Sequence, residues 1–449
     1  MSAATTHAFA LASRDSSSAD RSLHHVSPAK LPLALKAVLA LLFLPPELSL
    51  FLGDLRLTPE RLILLLLTPI VVMRLGQKIA AGRYRFIASD FFVFIAAIWM
   101  FLGPTIIGDF GEALRHSGPV ALEYLISYLA TRMLLAKRGH ALAFVSWLCF
   151  IISIVAIDGL IDTATGKYAT RELLGQITGY TDLSYKFDLY RFGLLRATGP
   201  VEHPILLGFD CAAGLLIAFA TNITLRRFSI VFCTVGVVIA FSSAPQQSVI
   251  MGLGLMTYGH LLAAVRSRWI LLIGSVAICS AGLFLLVGSP FVTLIKATAL
   301  DPSTGYYRLY IWNSLGPIVL DRPFFGIPPE LSAQVYNGTV DSLWLVLSLL
   351  YGIPCAVFTG LAMITACSRV ERGGNRLLTR EEARLALILS IVIFLAIFGG
   401  FTVHFWGSTW ILIGLLVGLR AHLGELALLN ASATWRTMEQ PDGPPSPDV

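Results

Sequence analysis

The stretch LYRFGLLRATGPVEHPILLGFD places several residues capable of chemistry at the edge of an apolar run. They are Arg191, Arg196, Glu202, His203 and Asp210. A guanidinium offers a fixed planar fork to anionic oxygens, and histidine titrates near neutral pH. The pattern therefore predicts an anionic ligand at Arg196 and makes His203 a candidate catalytic group.

Structural roles compete with these interpretations. Arg196 could instead extend to lipid phosphate at a membrane surface, and His203 could be an interfacial histidine at the start of a helix. Asp210 lies inside an apolar run, where a carboxylate is costly, so it indicates either function or pairing with a neighbouring helix. Glu123, in GPVALEYLISYLATR, is expected to pair with a buried arginine.

A second interruption, residues 290–345, combines aromatic rings and prolines with a few charges. A solvated linker would be rich in Gly, Ser and charge, so this composition predicts a loop that packs. Arg308 and Asp341 are set among the aromatic residues. The alternative interpretation is a lid of short interfacial helices.

Composition places these stretches in a membrane protein. The chain is 56% hydrophobic and 13% charged, with a mean hydropathy of +0.75, whereas a soluble domain carries about 25% charge. The six cysteines lack the spacing of a metal site or a disulfide framework, which predicts free thiols. The net charge of +6 sets topology rather than indicating nucleic acid.

Apolar runs long enough for a hydrocarbon core of about 30 Å predict an all-α, polytopic fold of about twelve membrane helices. The first run covers 33–51. Lys and Arg concentrate in alternate connections, so the positive-inside rule predicts that both termini are cytoplasmic. Loops 162–203 and 290–340 then share the outer face, where two loops can close over one site. The predicted organisation is a disordered tail over 1–30, a membrane domain over 31–425 and a largely disordered tail over 426–449.

Three segments, in order, carry a family resemblance: RATGPVEHPILLG, YYRLYIWNSLGPIVLDRPFFGIP and VDSLWLVLSLLYGIP. Together they resemble the O-antigen ligase and Wzy-type polymerase superfamily, and most closely its exopolysaccharide polymerases. The resemblance implies a helical glycosyltransferase of the GT-C type in the bacterial inner membrane. It also implies a periplasmic active site that uses undecaprenyl pyrophosphate-linked oligosaccharides, with no metal and no other cofactor.

The resemblance and the residue chemistry together assign candidate roles. Arg196 and Arg308 would bind the pyrophosphate, because arginine neutralises phosphate charge without a metal. The candidate bases for the acceptor hydroxyl are Asp341, His203 and Glu202. Two tryptophans, Trp312 and Trp344, are candidates for stacking on sugar rings.

This chain departs from the family pattern at two places. Ligases of the family carry a His in the late outer loop, where this chain has Asp341. The wider family often has a Ser-Arg pair at the outer end of a middle helix, and this chain reads FSSAPQQS there, without Arg. The first departure weakens a ligase assignment, and the second leaves a phosphate contact for Arg308 to replace.

The sequence thus predicts a polymerase of lipid-linked repeat units. Its alternatives are a ligase, a lipid-linked oligosaccharide flippase or other transporter, and a non-catalytic scaffold. The predicted partners are the lipid-linked oligosaccharide and the bilayer, with a chain-length regulator and other polysaccharide assembly proteins as further candidates. Nucleic acid is not among them.

Overall fold

The computed structural model describes residues 30–53, 55–137, 139–183, 189–265, 267–287, 302–328, 339–367 and 378–439, and this part of the chain is mostly helical. The helices of the first half are α1 (Leu33–Leu42), α2 (Pro59–Ala80), α3 (Ala88–Ile107), α4 (Gly118–Leu134), α5 (His140–Thr165), α6 (Ala169–Thr178) and α7 (Pro204–Ala220). Those of the second half are α8 (Arg226–Ile239), α9 (Ser243–Leu261), α10 (Arg268–Val287), α11 (Pro302–Asp321), α12 (Leu343–Tyr351), α13 (Ile353–Cys367), α14 (Arg380–Gly399) and α15 (Gly407–Glu439). Short helical turns also occur at Pro46–Leu48, Phe110–Glu112 and Ala113–Ser117.

Five helices within the described residues are long and apolar enough to cross a membrane: α2, α3, α5, α14 and the Gly407–Leu429 part of α15. Shorter apolar helices include α1, α7 and α13. The predicted helical and apolar architecture is therefore confirmed. The count of about twelve spans stays a prediction.

The first predicted span, 33–51, is divided in the structure. Helix α1 ends at Leu42, and Pro45 and Pro46 follow, because proline cannot continue the hydrogen-bond ladder of a helix. The chain then forms an antiparallel hairpin of β1 (Leu50–Leu52) and β2 (Leu55–Leu57). A second hairpin pairs β3 (Tyr190–Arg191) with β4 (Leu194–Leu195). The prediction of an all-α fold is thus correct only as a mostly helical fold.

The last helix packs along α4 in the middle of the bundle. Trp410 of α15 stacks on Tyr124 of α4, with ring centroids 4.7 Å apart. One and two turns further on, Gly414 and Gly418 leave no room for a Cβ against Ser127 and the Tyr128 carbonyl. Small residues of this kind let helices approach closely in a membrane.

The predicted tails are described only in part. Helix α15 extends to Glu439, past residue 426, where the C-terminal tail is predicted to begin. Residues 1–29 and 440–449 lie outside the described part of the chain. All six cysteines are free thiols.

The antiparallel helices give the bundle two ends. We call one the long-loop end, because it carries both hairpins, α6, α11 and the first turns of α7 and α15. We call the other the basic-loop end, because the chain enters α3, α5, α8 and α14 there from connections rich in Lys and Arg.

A buried ion-pair network lies at the basic-loop end. Arg132 of α4 donates to both oxygens of Asp90 of α3, at 3.1 and 2.8 Å, and pairs with Glu425 of α15. Lys78 donates to the Arg132 carbonyl at 3.2 Å, and Tyr128 to Asp90 at 2.6 Å. Three helices are thereby joined through one guanidinium.

Candidate functional site

Two arginines reach the same turn from one hairpin. The turn between β3 and β4 is formed by Phe192 and Gly193, both at positive φ, which suits a tight two-residue hairpin. Arg191 donates to the Phe241 carbonyl at 2.9 Å. Arg196 donates through Nε to the Ala240 carbonyl at 3.3 Å.

The turn that these arginines contact begins the stretch FSSAPQQS. It joins α8 to α9, and its Phe241 has a φ of 43°. Arg191 therefore brings positive charge to the position of FSSAPQQS from another part of the chain. Sequence reasoning did not select Arg191 for this role. The only signal was the RFG triplet, whose glycine permits the hairpin turn.

Arg308 and Asp341 both lie within residues 290–345, which we call the late loop, and their charges interact. Arg308 lies on α11, and Asp341 directly precedes Ser342, which caps α12 by accepting from the Leu345 N–H. Burial lowers the pKa of Arg308; the Asp341 carboxylate opposes this shift and Arg191 adds to it. The charges of Arg191 and Arg308 therefore influence one another, and the closing of both loops over one site stays a prediction.

Within the described residues, the Arg308 guanidinium does not have a hydrogen-bond partner for every nitrogen. Its Nε is buried and has no hydrogen-bond partner among the described residues. A buried donor without an acceptor costs about 1–3 kcal/mol. We refer to Arg191, Arg196 and Arg308 as the arginine cluster.

Asp341 is a candidate base whose surroundings shift its titration. Burial raises the pKa of Asp341 above its usual range, while Arg308 and a hydrogen bond from Thr339 oppose the shift. A carboxylate with a raised pKa accepts a proton more readily near neutral pH. Of the three candidate bases, Asp341 alone combines two features: a cluster arginine beside it and no helix-capping role.

His203 has a different role from Asp341, because it caps a helix. Its Nδ1 accepts the Ile205 N–H at 3.1 Å, which caps α7, so in the neutral ring Nε2 carries the proton. Burial, together with Arg196, lowers the pKa of His203 to about 3. The ring is therefore a neutral donor near the cluster, and the arrangement does not favour it as a base.

Glu202 faces the first turn of α15. Ser408 Oγ donates to it at 3.5 Å, and a Cβ on Gly407 would overlap its carboxyl group. A helix N-terminus attracts a carboxylate. Burial raises the pKa of Glu202 to about 7, and hydrogen bonds from the backbone, including that of Ser408, and the Arg171 charge oppose the shift. Glu202 thus joins α7 to α15 and points to a different neighbour than His203 does.

An ion-pair network supports this segment from outside. Arg171 of α6 pairs with Glu47 at 2.8 Å and donates to the Val201 carbonyl at 3.2 Å. Arg56 pairs with Asp182 at 2.9 Å. These partners are far apart in sequence, so no local pattern could have identified them.

Both tryptophans are anchored. The Trp312 indole donates to the Phe401 carbonyl at 3.0 Å, and its ring lies 6.3 Å from that of Phe401. Trp344 is only 8% exposed and donates to the Ile397 carbonyl at 2.9 Å. Both side chains attach the late loop to the end of α14, and Trp312 keeps the more open face.

Two further carboxylates have structural partners. Glu123 accepts from Arg61 at 2.6 Å, as predicted for a buried pair. Asp210 accepts from the Thr409 hydroxyl at 3.0 Å, which supports the interpretation of pairing with a neighbouring helix. Neither is part of the arginine cluster.

Comparison with known proteins identifies no relative. No model of a protein family matches the chain, and no curated protein matches it. The interpretation of function therefore depends on the site geometry and on the sequence motifs.

Proposed function

We propose that this chain is a membrane glycosyltransferase that polymerises lipid-linked oligosaccharide repeat units in bacterial exopolysaccharide or O-antigen synthesis. The observation that carries the proposal is Arg308. The residue is half-buried, its buried Nε has no hydrogen-bond partner among the described residues, and its charge interacts with those of Asp341 and Arg191. An arginine kept in that state beside a carboxylate suits an anionic ligand next to a base.

The cluster offers what a pyrophosphate leaving group needs. Guanidinium forks bind phosphate oxygens through paired, charge-assisted hydrogen bonds. Arg308 comes from one loop, whereas Arg191 and Arg196 come from the other and are held by carbonyls of the α8–α9 turn. Preorganised donors of this kind stabilise charge that develops on a departing group.

Asp341 would complete the transfer. The acceptor hydroxyl oxygen attacks the anomeric carbon of the donor sugar, and its proton passes to the Asp341 carboxylate. The bond from that carbon to the phosphate oxygen breaks, and its electron pair leaves with the lipid pyrophosphate. The product is a glycan longer by one repeat unit.

We further propose that the chain crosses the bacterial inner membrane about twelve times, a number set by hydrocarbon thickness. The long-loop end would face the periplasm and both termini the cytoplasm. The five long apolar helices of the described chain support the membrane location. The loop charges support the orientation.

Reconstituted vesicles test the activity. Purified protein is mixed with an undecaprenyl pyrophosphate-linked repeat unit, and products are separated on a gel. We expect a ladder of lengths from the wild type and from Arg227→Ala, a matched arginine exposed at the basic-loop end. Arg308→Ala and Asp341→Asn should give no ladder.

Other outcomes distinguish the rival functions. Translocation of the repeat unit across the vesicle with no ladder would replace the polymerase by a flippase. A single transfer to a different acceptor would indicate a ligase. Full activity of both site variants would remove the site proposed here.

A further inference from the structure

The late loop is fastened to the bundle at a break between two helices. Gly352 separates α12 from α13, and the segment after α11 lies across that break. The Ile327 N–H donates to the Leu349 carbonyl at 2.8 Å, and the Ile353 N–H to the Pro323 carbonyl at 2.7 Å. Two main-chain bonds thus hold residues 322–327 against residues 349–353. We call this arrangement the joint.

Trp99 of α3 closes the joint from the other side. Its indole N–H lies 3.1 Å from both the Phe324 and the Tyr351 carbonyls, one on each side of the joint. Its ring stacks on Phe325, with centroids 5.6 Å apart and planes within 12°. One side chain therefore links α3, the late loop and the helix break.

Two glycines make this approach feasible. Gly326 has a φ of 73° and Gly352 a φ of 84°, a region that side chains rarely adopt. A Cβ on Gly352 would overlap the Phe324 carbonyl, and one on Gly326 would overlap the Leu349 carbonyl. The joint thus requires glycine at both positions.

The joint carries a unit that has its own core. Ile311 and Leu315 of α11 pack with Leu345 and Leu349 of α12 and with Ile327 of the joint. Arg308 lies near one end of this unit, and Asp341 precedes Ser342, the N-cap of α12. Arg308 is about 20 Å along α11 from the joint, given the rise of an α-helix. Trp312 attaches α11 to the bundle at one further point.

We propose that the joint is a positioning device. It sets the distance between two groups of residues: Arg308 and Asp341 on the α11–α12 unit, and Arg191 and Arg196 at the β3–β4 hairpin. This role rests on the proposed function, because the separation matters when one pyrophosphate must contact both groups. Trp99, Gly326 and Gly352 are the positioning residues. None of them belongs to the arginine cluster.

Spin-label distances test the geometry without any substrate. Labels are attached through Phe192→Cys on the β3–β4 turn and Tyr310→Cys on α11, whose native side chains are 72% and 59% exposed. The exposed Cys279 is replaced by Ser in every variant. The test variants are Gly352→Ala and the milder Trp99→Phe, which keeps the ring and removes the donor. Gly316→Ala is the control, because a Cβ there meets open space on the same helix.

We expect both test variants to shift or broaden the distance distribution, while Gly316→Ala keeps the wild-type distribution. In the vesicle assay, both should lower the maximal rate of elongation by about tenfold or more, since small misplacements of catalytic groups are costly. The concentration of donor lipid at half-maximal rate should change much less, because the cluster arginines remain.

Wild-type distances and rates in both folded test variants would overturn the joint as a positioning device. A shift in distance with an unchanged rate would also overturn it. Absence of elongation by the wild type would instead count against the proposed function, and the distances would still report the joint.

Discussion

The two ends of the bundle differ in how the charges of their arginines are paired. At the basic-loop end, Arg132 and Lys78 face Asp90 and Glu425, so positive and negative charges balance. At the long-loop end, Arg308 faces Asp341 and is opposed by the charge of Arg191, and one guanidinium nitrogen of Arg308 has no partner in the described chain. The charges of the first site are matched within the protein, whereas the second keeps an unpartnered guanidinium nitrogen among the described residues, which under the proposed function would bind an anion.

Under the proposed function, this difference distinguishes an arginine that serves folding from one that serves a ligand. A balanced, fully bonded group brings helices into register, and its removal exposes partners that cannot find water. An unbalanced group gains its missing interactions only when a ligand arrives. Substitution should therefore damage folding at the first end and transfer at the second.

The largest expected effect is at the balanced end. Arg132→Ala leaves Asp90 and Glu425 buried without their cation, which costs about 3–5 kcal/mol of folding free energy. We expect little folded protein, measured by size exclusion in detergent and by thermal unfolding. Arg384→Ala is the control, since Arg384 is 59% exposed in a surface pair worth about 0–1 kcal/mol. Normal stability of Arg132→Ala would break the comparison.

The next effect is on proton transfer. Asp341→Asn should lower the elongation rate by about 10²–10⁴-fold, the usual contribution of a general base, while the unfolding temperature stays near that of the wild type. Burial raises the pKa of Asp341. As the pH is lowered, the wild-type rate should therefore begin to fall at a higher pH than it would with an ordinary aspartate as the base. Rates measured across pH check this. A variant that keeps the wild-type rate and pH profile would remove Asp341 as the base.

Arg308→Ala should lower the rate by about 10²–10³-fold, comparable to losing one preorganised donor. Its stability should match the wild type or exceed it, since a buried donor without a partner is removed. Arg308→Lys keeps the charge and loses the fork, so we expect partial recovery. Paired assays of elongation and thermal unfolding measure both quantities. Loss of folding in Arg308→Ala would show that Arg308 belongs with Arg132 as a structural residue.

The sequence predicted much of this contrast. Apolar runs located the helices, and the scarcity of charge drew attention to Arg196, Arg308 and Asp341. It included Arg191 among the residues capable of chemistry but gave it no role, because that role depends on a turn formed by residues 240 and 241, outside its own stretch. The Arg171 and Glu47 pair was equally hidden, because pairing between distant segments leaves no local periodicity.

Candidate residues that are adjacent in sequence have different surroundings in the fold. Glu202 and His203 are adjacent, yet one faces the start of α15 and the other caps α7 beside Arg196. Neighbouring side chains at a helix start point in different directions, so proximity in sequence could not assign their roles. The helix break at Gly352 was also unforeseen, because the apolar run 341–366 reads as continuous.

The smallest expected effect is at Glu202. This half-buried carboxylate lies at the long-loop end but has a structural partner, so it tests whether structural pairing also occurs at that end. Its pKa is raised from 4.5 to about 7 in the folded protein, so the folded state binds the proton more tightly than the unfolded state. Its contribution to stability is therefore present below pH 4.5 and is lost as pH rises toward 7. Glu202→Gln should flatten this part of the stability profile, with a change in unfolding temperature of less than about 4 °C. Thermal unfolding between pH 4.5 and 8 measures it, and Glu172→Gln in the first turn of α6 is the control. An elongation rate close to the wild type would keep Glu202 with the structural carboxylates. A loss of rate as large as that of Asp341→Asn would place it beside the arginine cluster instead.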